Sequence, residues 1–225
     1  MTELLLNDLV GDRPPVTSLI DGIEIDWDDR VLRPRPWTRL QAQWAIELHP
    51  ALPPGPMLEL CTGVGHIGLW AIRGTGRSGV LVDADGVACR HARRNAHRAG
   101  LARAVEVVQH RIDGNLVPGA PPQLPLVLAD PPYLPSAAIS ERCGDPLGAV
   151  DGGDDGLEVV AVVLRTAAAH LQPGGACLLQ LHGGRQAGAV TARLAREWAD
   201  IGLTPVAVRE VDADRAVQLL HPTVD

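Results

Sequence analysis

Apolar residues along this chain fall in short blocks divided by glycine, proline and acids, and the blocks alternate between two periods. Seven blocks, at 57–60, 79–82, 105–108, 124–129, 176–181, 205–211 and 215–220, are too short for helices and are predicted strands. Between them apolar positions recur at helical spacing through Leu69, Trp70 and Ile72, over 86–100, over 157–171 and around 189–198. Ahead of these lie two extended runs, 16–20 and 23–27, flanking Asp21-Gly22, a pair that tolerates positive φ and so predicts a hairpin. Prolines at 34 and 36 exclude a helix from that stretch, and Thr38 is expected to cap one running through Leu40, Trp44, Ala45 and Leu48. The Pro-rich break over 50–56 then divides the chain into an N-terminal hairpin-plus-helix extension, 1–50, and a main domain, 51–225. Strands alternating with helices and closing on two consecutive strands predict an α/β fold: a doubly wound, mostly parallel, seven-stranded sheet with an antiparallel edge hairpin.

Composition narrows the partners. A chain of 225 residues can bury a full core in one domain. A formal net charge of −7 disfavours a broad nucleic-acid footprint. Cys61, Cys89, Cys143 and Cys177 are scattered, with no pair at metal-ligand spacing, so they are expected to be reduced thiols and no metal is predicted. No apolar run approaches the roughly 18 residues of a membrane span, and Met1-Thr2-Glu3 opens without a positive region. A cytoplasmic protein without a membrane partner is expected.

Candidate chemistry sits where strands meet loops. The strand at 57–60 carries Glu59 and runs into Cys61-Thr62-Gly63-Val64-Gly65 and then a helix, the opening of a nucleotide-binding unit. Asp83 ends the next strand about twenty residues on, where an acid can accept hydrogen bonds from vicinal ribose hydroxyls. After the third strand, Asp113 is the candidate for a nucleoside base, with Arg111 the alternative. The fourth strand delivers Asp130-Pro131-Pro132-Tyr133. Tyr133 is the only tyrosine of a chain without phenylalanine, and its place on a loop suits stacking better than packing. Ligands of open α/β sheets bind at strand carboxyl ends, so Glu59, Asp83 and Asp130 should share one rim. The glycine-rich segment 134–156 has the length of a functional loop, and its Asp154 and Asp155 are expected to cap the following helix. Arg33 and Arg35 suggest a solvated connector, and His91, His97 and His110 lack partners at ligand spacing.

These stretches resemble the class I S-adenosylmethionine-dependent methyltransferases, whose fold is Rossmann-like. Glu59 to Gly65 is similar to their first motif, with Cys61 where glycine is usual, and Asp130 to Tyr133 resembles the (N/D)PPY motif of enzymes acting on planar nitrogen. Within the class, Pro34-Arg35-Pro36-Trp37-Thr38, the run from Asp145 to Leu157, and Asp212 with Arg215 resemble the HemK/PrmC family, glutamine N5-methyltransferases of peptide-chain release factors. The chain departs from that family in Trp37 for Glu and Asp130 for Asn, and the family's separate N-terminal helical domain is not expected here. The resemblance implies methyl transfer from S-adenosylmethionine, giving S-adenosylhomocysteine. The acceptor it implies is a planar nitrogen: a glutamine amide of a release-factor-like or ribosomal protein, or alternatively a nucleic-acid base or a small molecule. It implies cofactor contacts at Glu59, Cys61, Thr62, Gly63, Gly65, Asp83 and Asp113, and acceptor binding by Asp130, Pro131, Pro132 and Tyr133.

Overall fold

The computed structural model describes residues 15–139 and 144–223. The predicted hairpin pairs β1 (Val16–Ile20) with β2 (Ile23–Trp27), Ile20 opposite Ile23. It packs on α3 (Gly86–Arg98) through a buried Asn95, which accepts the Asp26 N–H at 2.8 Å and donates to the Asp26 and Val64 carbonyls. His91, for which the sequence offered no partner, is buried on the same helix with Nε2 3.0 Å from Asp28. Asp28 also holds Arg30, which keeps its carboxyl far below the usual range.

The sheet follows the predicted architecture. β3 (Met57–Leu60), β4 (Gly79–Asp83), β5 (Val105–Gln109), β6 (Leu124–Ala129) and β7 (Leu171–Leu181) are parallel, and β9 (Arg215–Pro222) runs antiparallel between β7 and β8 (Leu203–Asp212). The order is β5-β4-β3-β6-β7-β9-β8, so the direction of winding reverses between β3 and β6. There the crossovers lead away to opposite sides and leave a crevice at the carboxyl ends. Leu58, Leu60, Val127, Ala129, Cys177 and Leu179 face α4 (Glu158–His170) and α5 (Gly183–Leu194). Met57, Leu126, Leu128 and Leu178 alternate to the other face, beneath α1 (Arg39–Leu48), α2 (His66–Thr75) and α3. Both faces are covered, which is why these strands are nearly all apolar. Among the described residues no helix is long and apolar enough to cross a membrane.

Three expectations need correction. Pro36 does not merely bar a helix: it opens a 3-10 turn, Pro36–Thr38, as proline can at a first helical position. Thr38 consequently makes no cap bond to α1, and its hydroxyl turns back to the Arg35 carbonyl at 2.7 Å. The last helix begins at Gly183 rather than near residue 189, because the Gln186 side chain reaches back to the His182 N–H at 2.7 Å and satisfies the helix start. Asp155 caps a turn and not α4: Gly156 (φ +76) intervenes, and the carboxylate accepts Leu157 N–H at 2.9 Å, one residue before the helix.

Candidate active site

The glycine turn after β3 is built from below. Alternation along β3 sends Glu59 to the α2 face, where it is 1% exposed. One carboxyl oxygen accepts the Gly68 N–H at 3.1 Å, and the other meets the Thr62 hydroxyl. Burial pushes the Glu59 carboxyl up to about 8, against those two hydrogen bonds, so it is a structural brace largely protonated at neutral pH. A side chain on Gly68 would strike this carboxyl, which accounts for glycine there. Gly63 and Gly65 turn with φ of +55 and +85, and Cys61 adopts +59, a conformation that suits the glycine usual at that position. Burial, then the nearby Asp83, Asp130 and Glu59, hold the Cys61 thiol well above its ordinary pKa, so it stays protonated.

Asp83 closes the turn from β4. Its two oxygens accept Gly63 N–H at 2.8 Å and Asp85 N–H at 2.9 Å. Burial raises its pKa, while those backbone donors lower it. Each oxygen keeps a further lone pair for a ligand. On the other side of β3, Asp130 ends β6, its N–H directed at the Leu60 carbonyl at 3.4 Å. Beneath it Gln41, fully buried, donates to the carbonyls of Ala129 at 2.9 Å and Leu178 at 2.8 Å and so fixes the ends of both strands. Burial pushes the Asp130 carboxyl up to about 7. Among the described residues no hydrogen bond or ion pair reaches that carboxylate.

The loop after β6 is clamped by the distant segment 144–156. Leu134 donates to the Val150 carbonyl at 3.0 Å and accepts from Gly152 at 2.9 Å, and Ser136 donates to Gly153 at 2.9 Å. Gly156 presses against the Tyr133 carbonyl so closely that a Cβ would collide with it, and its φ of +76 also favours glycine. Gly156→Ala is therefore expected to destabilise the protein by about 2 kcal/mol, from positive-φ strain plus displacement of the loop. Thermal unfolding would measure this, and an unchanged midpoint would contradict the clamp.

Arg35 is no solvated connector. Its guanidinium reaches both oxygens of Asp145 at 2.6 Å, tying the PRPWT stretch to the clamp loop. Two guanidinium groups lie over the Trp37 ring, Arg215 at 3.7 Å and Arg35 at 5.6 Å from its centre. Thr38 gives its single proton to the Arg35 carbonyl, so His66, 2.9 Å from the same hydroxyl through Nε2, must be the donor. Burial lowers His66 to about 4 and keeps it neutral.

These elements enclose a cavity of about 930 Å³. Cys61, Thr62, Gly63, Asp83, Asp130 and Pro132 line it, as do Arg35 and His66. Glu59 and Gly65 stand behind the turn and support it, and Pro131 is buried behind the lining. Tyr133 is not among the lining residues: against the expectation of stacking over packing, its half-buried ring packs on the core, 6.4 Å from that of His182 at an interplanar angle of 19°. Burial and Asp130 push its phenol well above its ordinary pKa, with Arg215, Trp37 and Arg35 acting the other way, so it stays protonated. Asp113 lies outside the lining and spends its exposed carboxylate on Asn115 N–H at 3.0 Å, whereas Arg111 and Ile112 line the cavity. Among the described residues no group of three or more His, Cys, Asp or Glu is placed to hold a metal. The sequence carried no signal for Gln41, His66 or Gln186, whose partners lie far along the chain.

The family described as conserved hypothetical protein 95 matches residues 33–145, half of the chain. A release factor glutamine methyltransferase of Gloeobacter violaceus is 34% identical over 182 residues, covering 78% of this chain and 62% of that protein. The chain thus spans less than two thirds of that relative. A ribosomal protein uL3 glutamine methyltransferase of Bradyrhizobium diazoefficiens is 35% identical over 58% of this chain and 41% of its own length. The fold matches a methyltransferase of Pyrococcus furiosus with a TM-score of 0.65, at 20% identity and 91% of both chains. The chain belongs to the conserved hypothetical protein 95 family and is similar in sequence to release factor glutamine methyltransferases.

Proposed function

We propose that this protein is an S-adenosylmethionine-dependent N-methyltransferase whose acceptor is a glutamine side-chain amide of a protein, release-factor-like or ribosomal, in the cytoplasm. The observation that carries the reading is Asp130: a carboxylate without a partner opens into the same cavity as Asp83 and the glycine turn. The residues fit the cofactor. Asp83 has free lone pairs for ribose hydroxyls, Cys61 to Gly63 bring backbone close to a ligand, and Arg111 or Ile112 borders the base. A volume of about 930 Å³ lies at the upper end of small-molecule sites, roughly 300–1,000 Å³, which leaves room for an acceptor side chain as well.

When bound, S-adenosylmethionine supplies an electrophilic methyl group on a sulfonium. The chain's own task is to present the nitrogen. An amide nitrogen is a poor nucleophile because its lone pair is delocalised. The Asp130 carboxylate and the Pro131 carbonyl can each accept one N–H, which orients the nitrogen and stabilises charge growing on it. Tyr133 supplies a flat apolar face beside them, and the two prolines stiffen the loop. The names of the relatives at 34% and 35% identity support a glutamine acceptor.

The test is transfer of labelled methyl from S-adenosylmethionine to a lysate of the source organism, one half then treated with protease and the other with nuclease. Label released by protease and found as a single methyl on a glutamine is the expected result. Label that survives protease and is lost to nuclease would establish a nucleic-acid acceptor instead.

A further inference from the structure

We propose that Gln186 is a positioning residue of the acceptor site, holding the Tyr133 backbone in place from α5. This rests on reading Asp130 to Tyr133 as the acceptor-binding loop. The Gln186 carboxamide joins three segments, two of which run on from the lining residues Pro132 and Gly153. Its Nε2 donates to the Tyr133 carbonyl at 2.8 Å and, more weakly, to the Gly156 carbonyl at 3.3 Å. Its Oε1 accepts the N–H of His182, the residue before α5, at 2.7 Å.

The partners themselves fix the orientation. Two carbonyls require a donor and one N–H requires an acceptor, so a flipped amide would lose every contact. All three contacts bear on the acceptor side. Tyr133 closes the Asp-Pro-Pro-Tyr loop, Gly156 ends the clamp segment, and His182 presents the ring that faces Tyr133. The backbone at Gly156 leaves no slack, since a Cβ there would collide with the same Tyr133 oxygen. Gln186 is not among the residues lining the cavity, so it acts through Tyr133 and not on a ligand.

A carboxylate discriminates this role from simple packing. Gln186→Glu keeps the size of the side chain and the acceptor for His182 but sets an oxygen against two carbonyls. Gln186→Met keeps volume and removes both donor and acceptor without adding repulsion. A packing role ranks the Glu variant nearer to wild type; a positioning role ranks it below the Met variant.

Because Tyr133 is the only tyrosine, ring-¹³C-tyrosine labelling gives one reporter of this loop, with no acceptor required. The expected result is a shifted or broadened Tyr133 resonance in the Glu variant, a smaller change in the Met variant, and calorimetric affinity for S-adenosylmethionine within about 2-fold of wild type in both. With a methylated protein acceptor in hand, kcat should fall about 10-fold in the Met variant and further in the Glu variant, as expected for sub-ångström displacement of a reacting group. A Glu variant with the wild-type tyrosine spectrum, or one no worse than Met, would overturn the proposal. Failure of the wild-type protein to methylate any protein would sink the acceptor assignment alone, while the tyrosine spectrum would still decide the role of Gln186.

Discussion

Asp130→Ala is expected to lower methyl transfer by about 100-fold to 1,000-fold, the scale on which removal of one preorganised polar group at a reacting centre is felt. Cofactor affinity should stay within a few-fold, because the turn and Asp83 hold their own hydrogen bonds without it. Wild-type activity should depend on pH through the same group. Burial raises the Asp130 carboxyl to about 7, and only the ionised form accepts an N–H without offering a competing proton. Activity should therefore rise with pH through about 7 and level off above it, and Asp130→Asn should flatten the profile. Stability carries the opposite sign. Between the ordinary value of 3.8 and about 7 the folded protein holds a proton that the unfolded chain has released, so this residue makes stability fall as pH rises through that window. Asp130→Asn should be more stable than wild type above pH 7 by thermal unfolding. An Asp130→Ala variant with normal turnover would remove the residue from the mechanism.

What the sequence made legible, and what it hid, divides along a physical line. Local signals were readable. Asp21-Gly22 predicted the hairpin because two positive-φ positions in a row have few other uses, and the structure turns there with φ of +49 and +78. Each block of the main sheet was readable from its length and the breakers beside it, except that β7 begins at Leu171 and runs through Pro173-Gly174-Gly175, five residues before the expected start. The rim formed by Asp83 and Asp130 followed from topology alone, since β4 and β6 both run parallel to β3 and so end on the same side of the sheet. Side-chain partners were hidden because they are set by which loops the fold stacks. Arg35 finds Asp145 across 110 residues, His91 finds Asp28 across 63, and Gln186 finds Tyr133 across 53. Arg35 read as a connector for that reason, although its spacing between two prolines was visible. Asp113 shows the converse: an acid at the right strand end can be claimed by its neighbour, here the Asn115 amide, and turn away from the cavity. The glycine-rich loop was legible as functional by its length, but its role as a clamp depends on a Tyr133–Gly156 contact no spacing encodes.

Asp83→Ala is expected to weaken binding of S-adenosylmethionine by at least about 100-fold, the value of two hydrogen bonds to a charged group at about 1.5 kcal/mol each. The loss has two parts. On the proposed reading Asp83 offers lone pairs to the ribose; it also anchors the glycine turn, through Gly63 N–H at 2.8 Å. Asp83→Asn should not rescue it. Both oxygens face backbone donors, Gly63 on one side and Asp85 on the other, so an amide must set its NH₂ against one of them. The Asn variant is therefore expected to bind nearly as poorly as the Ala variant, although its size is unchanged. Calorimetry at neutral pH measures both, with thermal unfolding to confirm the fold. Affinity within about 5-fold of wild type in the Asn variant would mean that binding needs neither the second acceptor oxygen nor the turn contact it makes. The register explains why an acid at this position can do both things. Leu60 of β3 pairs with Val82 of β4, so the next residue of β4 lies beside the first residues of the turn, 20 positions away in sequence from the Gly63 amide it accepts. An acid one residue earlier would point to the opposite face of the sheet, into the apolar layer beneath α4, where burying a charge is costly.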